Sequence, residues 1–232
     1  PGDREAAALT TKPVPALWLL SLASSLSPFG MIVVVPTLAA LAERYEVDQG
    51  QAQFLIAAYL FGLGVGQPLA GALSDRHGRR PVMLTGFMLF TLASVACAVA
   101  SSFPALLACR LLLALGVSVG TVGSRAIVRD THDALGAIRV LAWIGAAMGV
   151  APVVGPLAGG LLSASFGPQS VFLASALLGL LVTVAMALRL RETRQPRVVQ
   201  DLATLDSDRP HTQALRAAGY GACRRYRPDP CR

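Results

Sequence analysis

Long apolar stretches alternate with short polar segments along the 232-residue chain. Six stretches are each close to the ~20 residues that a helix needs to cross the hydrocarbon core of a bilayer. A helix of a soluble bundle keeps a polar stripe, whereas these stretches are apolar on every side. The pattern therefore predicts an all-α membrane protein with six transmembrane helices. The predicted spans are residues 14–38, 51–73, 81–100, 104–127, 140–162 and 171–190.

The residues on either side of this block are polar. We expect residues 1–13 to form a cytoplasmic N-terminal segment and residues 14–190 to form the six-helix bundle. Residues 191–232 hold nine arginines and five acidic residues and contain no apolar run. A segment of this composition cannot bury enough apolar surface to fold. We therefore expect a basic, disordered cytoplasmic tail.

Composition agrees with a membrane protein. Hydrophobic residues make up 54% of the chain and charged residues only 14%, whereas soluble domains carry about 25% charged residues. The mean hydropathy is +0.58. These values argue against a soluble domain.

The basic residues are unevenly divided between the two sides of the predicted bundle. When the loops are assigned alternately to the two sides, one side carries only Arg44. Basic loops stay in the cytoplasm, so we expect both ends of the block to be cytoplasmic and the chain to lie in the inner (plasma) membrane. The scattered arginines argue against a nucleic-acid partner. The residues on the basic side are Arg4, Lys12, Arg76, Arg79, Arg80, Arg125, Arg129, Arg139, Arg189, Arg191 and Arg194.

A charged connector, residues 71–81, joins the second and third spans. We expect a tight loop, in which Gly78 permits the turn and Gly71 lets a neighbouring helix approach closely. Asp75 can pair with Arg79 or Arg80, or with the positive start of another helix. The candidate residues are Gly71, Asp75, Arg76, Gly78, Arg79 and Arg80.

This connector resembles the signature loop of the major facilitator superfamily, which lies between the second and third helices. The resemblance implies a cytoplasmic latch that holds the outward-facing state through contacts between two six-helix halves. A solvated basic loop that serves topology alone is the alternative. The number of matching positions, at the right place in the chain, argues against it.

The fourth span contains a charged residue, Arg110. An arginine inside hydrocarbon costs at least ~2.5–3.5 kcal/mol, so it normally faces a cavity or a partner. Snorkelling to the outer interface is the alternative. The arginine, with Gly116 and Gly120 after it, resembles a motif of the superfamily's fourth helix. That resemblance implies a role in proton coupling.

Prolines and glycines are closely spaced in the fifth span. They bend the helix and flatten one face, which favours close packing of a partner helix. The stretch resembles the antiporter signature of drug-exporting members, although Ala142 and Ala151 stand where the family has glycine. Gly145 and Gly149 offer a shifted small face. Ordinary helix packing is the alternative. The candidate residues are Pro152, Gly155, Pro156, Gly159 and Gly160.

Over residues 14–194 the chain is similar to the N-terminal half of Bcr/CflA-type drug-resistance transporters. The inner end of the fourth span adds Arg125, Arg129 and Asp130 to this similarity. These residues form either a charge network beside the connector or positive-inside anchors, and both interpretations stay open.

The resemblance implies multidrug efflux of small amphipathic compounds by proton-coupled antiport and alternating access. It also implies a partner, which is a second six-helix half or a second copy of the chain. The alternatives are a homodimeric half-transporter for a metabolite and a non-transporting membrane remnant. The chain is expected to be a truncated or half-length form. No Asp or Glu lies inside the six spans, so the sequence shows no carboxylate for the proton.

No enzymatic site, cofactor site or metal site is predicted. Cys97 and Cys109 lie in spans, where cysteine is usually a packing residue, and Cys223 and Cys231 match no zinc spacing. The glycines at 62, 64 and 66 are better explained by helix packing than by nucleotide binding. Candidate cavity residues for an amphipathic substrate are Phe29, Met31, Gln53, Tyr59, Gln67, Trp143 and Met148.

Overall fold

The computed structural model describes residues 17–189, which form helices joined by short turns and contain no strand. The predicted segment 1–13 and tail 191–232 lie outside the described residues. The elements are α1 (Leu17–Ile32), a 3-10 helix (Val35–Thr37), α2 (Leu38–Arg44), α3 (Gln49–Ala52), α4 (Phe54–His77), α5 (Arg79–Val99), α6 (Phe103–Thr131), α7 (Ala134–Phe166) and α8 (Ser170–Arg189).

The predicted six spans are confirmed within residues 17–189, where six helical segments are long and apolar enough to cross a membrane. Their ends differ from the predicted ones. The fifth span was expected at residues 140–162, and α7 extends from Ala134 to Phe166. Hydropathy marks only the apolar part of a helix, whereas the helix continues until a cap or a glycine ends it.

Polar caps and glycines set these ends. The Asp133 side chain accepts a hydrogen bond from the Gly136 amide at 3.2 Å and so caps the start of α7. Gly78 (φ +96°) follows α4 and Gly167 (φ +83°) follows α7. Both have a left-handed φ that favours glycine. The turns after these helices are therefore short.

The first span is broken in its C-terminal half. α1 ends at Ile32, a 3-10 helix that contains Pro36 follows, and α2 then continues to Arg44. The last four carbonyl groups of an α-helix have no partner within the helix. Phe29 still accepts from the Val33 amide at 2.9 Å, and the break leaves the carbonyl groups of residues 30–32 without an α-helical partner.

Helix α6 lies at the centre of the bundle and packs against α1, α4, α5 and α7. Its glycines make this possible. A Cβ at Gly116 would lie 2.5 Å from the Phe90 amide nitrogen of α5, and a Cβ at Gly120 would collide with the Ala23 carbonyl of α1. Small residues let helix backbones approach closely in membranes.

Helices α4 and α7 lie at the sides and are less covered. In its most apolar window, 22% of the span that forms α7 is buried, against 56% for α6. The exposed side chains on α7 are large and apolar. They include Trp143, Val153, Leu157 and Leu161. One face of α7 is thus left without a neighbour among the described residues.

Candidate functional site

Arg110 lies inside the bundle and does not snorkel. Its side chain is 1% exposed, and its Nη1 donates a hydrogen bond to the Gly30 carbonyl at 3.0 Å. Gly30 is in the last turn of α1, so its carbonyl is one of those left without a helical partner. A cation at a helix C-terminus is also favoured by the helix dipole. The guanidinium of Arg110 therefore caps the broken first span from α6.

Two aromatic rings complete the surroundings of Arg110. The guanidinium carbon lies 4.9 Å from the Tyr59 ring centroid and 5.7 Å from the Phe172 centroid, distances at which a ring attracts a cation. The Tyr59 hydroxyl donates to the Ser27 carbonyl at 2.7 Å. Arg110 thus connects α1, α4 and α8 to the central helix.

The guanidinium is only partly satisfied. Nε and Nη2 of Arg110 are buried and have no hydrogen-bond partner in the part of the chain that the structure describes. No acidic residue among residues 17–189 forms an ion pair with Arg110. Sequence reasoning identified Arg110 but missed Gly30 and Phe172.

The connector differs from the predicted loop. α4 continues to His77 and α5 begins at Arg79, so Gly78 is the whole turn. The expected role of Gly78 in the turn agrees with its positive φ. The close helix approach expected at Gly71 is not present among residues 17–189, where a Cβ at Gly71 would meet no atom closer than Val122 Cγ1 at 3.9 Å.

The acid that pairs with the connector is Asp130, at the C-terminal end of α6. Arg79 Nε lies 2.5 Å from Asp130 Oδ2. The expected pairing of Asp75 with Arg79 or Arg80 is not present among residues 17–189, where Asp75 is exposed. Arg80 instead donates to the Ala187 carbonyl of α8 at 2.9 Å.

The predicted inner charge residues separate into two groups. Asp130 forms an ion pair with Arg79 of the connector. Arg125 and Arg129 are exposed and make no ion pair with the described residues. Arg76 is also exposed. The structure thus brings Asp130 and Arg79 together and leaves the side chains of Arg76, Arg125 and Arg129 exposed.

The glycines of the fifth span pack against the break in the first span. A Cβ at Gly155 would lie 3.3 Å from Ile32 Cγ2, and a Cβ at Gly159 would collide with the Val33 carbonyl. Gly160 has more room, with Pro36 Cβ at 4.0 Å. Gly145 and Gly149, the expected shifted small face, have no atom within 4 Å of a built Cβ. Pro152 and Pro156 lie within α7.

A cavity of about 440 Å³ lies between α1, α7 and α8. Phe29, a predicted cavity residue, is part of its wall together with Trp18, Ser21 and Ser25. Trp143 lines a second cavity of about 440 Å³ that shares Trp18. The other predicted cavity residues lie elsewhere. Gln53 lines a cavity beside the 3-10 helix, Tyr59 is buried against Arg110, Gln67 is exposed on α4, and Met31 and Met148 are partly buried against the core.

Among residues 17–189 no group of three or more His, Cys, Asp or Glu side chains is placed to hold a metal ion. The described site is therefore a buried cation, an inner ion pair and an apolar cavity.

Comparison with known proteins places the chain among transporters. The sequence model of the Major Facilitator Superfamily matches residues 20–223. Multidrug resistance protein D of Escherichia coli is 32% identical over 78% of this chain and 46% of that protein. Multidrug resistance protein MdtL of Shigella flexneri is 34% identical over 73% of this chain and 43% of that protein. The chain spans about half the length of these curated relatives.

Solved structures show the same fold. A D-xylose–proton symporter superposes with a TM-score of 0.68 at 18% identity, over 88% of this chain and 54% of the symporter. The human organic anion transporter MFSD10 superposes with a TM-score of 0.61 at 26% identity, over 77% of this chain and 48% of that protein.

Proposed function

The chain belongs to the major facilitator superfamily, and from this membership we propose that it forms one six-helix half of a transporter that exports small amphipathic compounds. The curated relatives to which it is identical at about a third of the aligned positions bear the name multidrug resistance protein. The observation that carries the proposal is Arg110, a buried cation that joins the central helix to the broken first span. Such a costly residue is retained in a membrane where it serves a pathway.

The proposed transporter contains a second six-helix unit beside α4 and α7. The two helices present apolar faces that the described residues leave uncovered. Transporters of this kind bind substrate between two repeats and alternate access by rocking one against the other. We assign the cavity beside Phe29 and Trp18 to the wall of that pathway. Its two serines and aromatic rings suit an amphipathic molecule.

The connector acts as the inner latch. Arg79 and Asp130 fix the turn between α4 and α5 to the end of α6. Asp75 lies in the last turn of α4 and is exposed, so it is available for a contact with the second unit. Basic residues favour the cytoplasmic side of a membrane, so Arg76, Arg125 and Arg129 support a cytoplasmic location for both ends of the block, in a cell with an inner membrane.

The transport is proton-coupled antiport. Arginine stays protonated and cannot itself carry the proton, and the six apolar runs predicted from the sequence contain no carboxylate. The titrating carboxylate therefore belongs to the second unit, and Arg110 senses its charge through the first span. The buried charge of Arg110 is favoured when the carboxylate is negatively charged. Protonation of the carboxylate removes that charge, and this loss would link protonation to the position of α1.

The test is dye export from cells that express the native gene in a strain without its own efflux pumps. Arg110→Ala removes a charge-assisted hydrogen bond worth ~1.5–3 kcal/mol, so we expect export to fall by about tenfold or more. Arg110→Lys keeps the charge and tests whether the fold survives. Arg125→Ala, an exposed arginine on the same helix, is the matched control and should export normally.

Equal export by wild type and Arg110→Ala, with equal amounts of protein in the membrane, would contradict the role given to Arg110. Absence of dye export by wild type in a membrane that holds a proton gradient would contradict drug efflux itself. Collapse of the gradient with an uncoupler should stop export, and continued export would contradict proton coupling.

A further inference from the structure

The two cavities beside α1 and α7 are continuous and form one groove. The first, of about 440 Å³, reaches from Trp18 to Phe29 along α1, and the second, also of about 440 Å³, includes Trp143 of α7. Trp18 and Ser21 line both of them. We call this the α1–α7 groove. A molecule bound in it would lie between the two helices, with the two tryptophan rings at one end.

Two arginines lie at the tryptophan end of the α1–α7 groove. The guanidinium carbon of Arg189, in the last turn of α8, lies 5.4 Å from the Trp18 ring centroid. Arg139 precedes Trp143 by four residues in α7, and residues with this spacing share one face of a helix. Both arginines are exposed, and no acidic residue among residues 17–189 forms an ion pair with either of them.

The groove itself carries no negative charge from the described residues. The side chains that line it are apolar, aromatic or hydroxyl-bearing. Asp133, at the start of α7, is the acid nearest to Arg139 in the sequence, and its side chain accepts from the Gly136 amide. The acidic residues of the described range, none of which lines the groove, are Glu43, Glu46, Asp48, Asp75, Asp130 and Asp133.

Membrane topology explains only part of this arrangement. The preference for basic residues on the cytoplasmic side accounts for arginines near this end of the bundle. It does not require that a guanidinium lies over a ring that lines a cavity. An arginine stacked on an aromatic ring is already held in place, so less side-chain freedom is lost when its planar fork binds a ligand.

We propose that the α1–α7 groove selects amphipathic carboxylates, with the apolar body of the molecule between α1 and α7 and its carboxylate at Arg189 and Arg139. The inference rests on the proposed export function and names the substrate class of that site. Guanidinium groups form charge-assisted hydrogen bonds with carboxylates, and the Ser21 hydroxyl can donate another. A lipophilic cation would instead meet two like charges, which disfavours the wrong partner.

Binding can be measured without transport, because Trp18 and Trp143 are the only tryptophans of the chain and both line the groove. Three probes share a dansyl ring, which quenches tryptophan by energy transfer. Dansylglycine is an anion, dansylglycinamide is neutral and dansylaminoethyltrimethylammonium is a cation. Each is titrated into the purified full chain in an uncharged detergent at neutral pH. We expect the anion to bind about fivefold more tightly than the amide, the upper value for one exposed ion pair, and the cation to bind most weakly. Equal affinities, or tightest binding of the cation, would overturn the proposal.

Variants locate the charges responsible. Arg189→Gln and Arg139→Gln should each weaken dansylglycine binding by ~3–5-fold and leave the affinity for the amide nearly unchanged, which also shows that the variant is folded. Arg189→Lys keeps the charge and should bind nearly as wild type. Arg125→Gln removes an exposed arginine that does not line the groove, and it is the matched control. An equal loss from Arg125→Gln would show a general effect of net charge and would overturn the site.

Export of the same probes separates this inference from the proposed function. The native gene product is placed in inverted membrane vesicles with a proton gradient, and uptake of each probe is followed. Faster uptake of dansylglycine than of the cation supports the proposal. Faster uptake of the cation would overturn it and leave drug export intact. No uptake of any probe, together with anion-selective binding, would contradict export and support the selectivity of the groove.

Discussion

Helices α6 and α7 are neighbours in sequence, and they have similar hydropathy but very different surroundings. The most apolar windows of their spans have mean hydropathies of 2.0 and 1.8. Both contain a series of glycines. In α6 a Cβ at Gly116 or Gly120 would overlap α5 or α1, whereas a Cβ at Gly145 or Gly149 of α7 would meet nothing within 4 Å.

The difference shows that small residues in a membrane helix indicate close packing only where a partner helix is present. The α6 glycines contact other helices of this chain. The middle of α7 instead presents an open face with Val153, Leu157 and Leu161. Apolar side chains suit lipid and protein equally, so hydropathy alone does not tell which of them covers this face. We infer that a second six-helix unit covers it.

The largest effect is expected for a matched pair of glycines, one in each helix. Gly116→Val places a branched side chain against the backbone of Phe90, and overpacking of this kind costs ~1–3 kcal/mol. Gly145→Val meets open space in the described bundle and should change the free energy of unfolding much less. Thermal unfolding of both variants in detergent checks this. Equal losses would contradict the packing difference.

A second pair tests α7 alone. Gly159→Ala brings a methyl group against the Val33 carbonyl, so we expect a lower melting temperature, with a loss toward the lower end of ~1–3 kcal/mol. Gly160→Ala has room beside Pro36, and the better helix propensity of alanine should stabilise α7 slightly. If Gly159→Ala were as stable as Gly160→Ala, the contact between α7 and the broken first span would be wrong.

The smallest effect concerns the starts of the two helices. Asp133 caps α7 through the Gly136 amide, so Asp133→Ala should lower the free energy of unfolding by ~1 kcal/mol. Ser102 holds the corresponding position before α6 but makes no side-chain cap bond, and Ser102→Ala should be nearly neutral. Chemical denaturation measures both. A larger loss from Ser102→Ala would reverse the assignment of the caps.

Much of the fold could be predicted from the sequence, since hydrophobic runs of span length have few alternatives in a bilayer. Arg110 could be identified because an arginine in hydrocarbon is costly. Its partners could not, because Gly30 offers a backbone carbonyl and Phe172 an ordinary aromatic ring. Neither has a sequence signal of its own.

The connector shows the opposite case. Its residues were identified by motif, but its geometry was expected to be a loop, and α4 continues through Asp75 to His77. Asp130 was linked to this region only by analogy. Its contact with Arg79 depends on how α6 ends beside α5, which pattern alone does not specify.

The measurement that tests the central claim most directly is the oxygen accessibility of a nitroxide at Leu157→Cys, in the native gene product reconstituted in lipid without its other cysteines. Leu157 of α7 and Leu92 of α5 are exposed to similar extents in the described bundle, 64% and 62%. The account predicts that residue 157 is shielded like buried Ile144, while residue 92 is accessible to oxygen dissolved in lipid. Equal, high accessibility at residues 157 and 92 would show that lipid covers α7 and would contradict a second six-helix unit on this face.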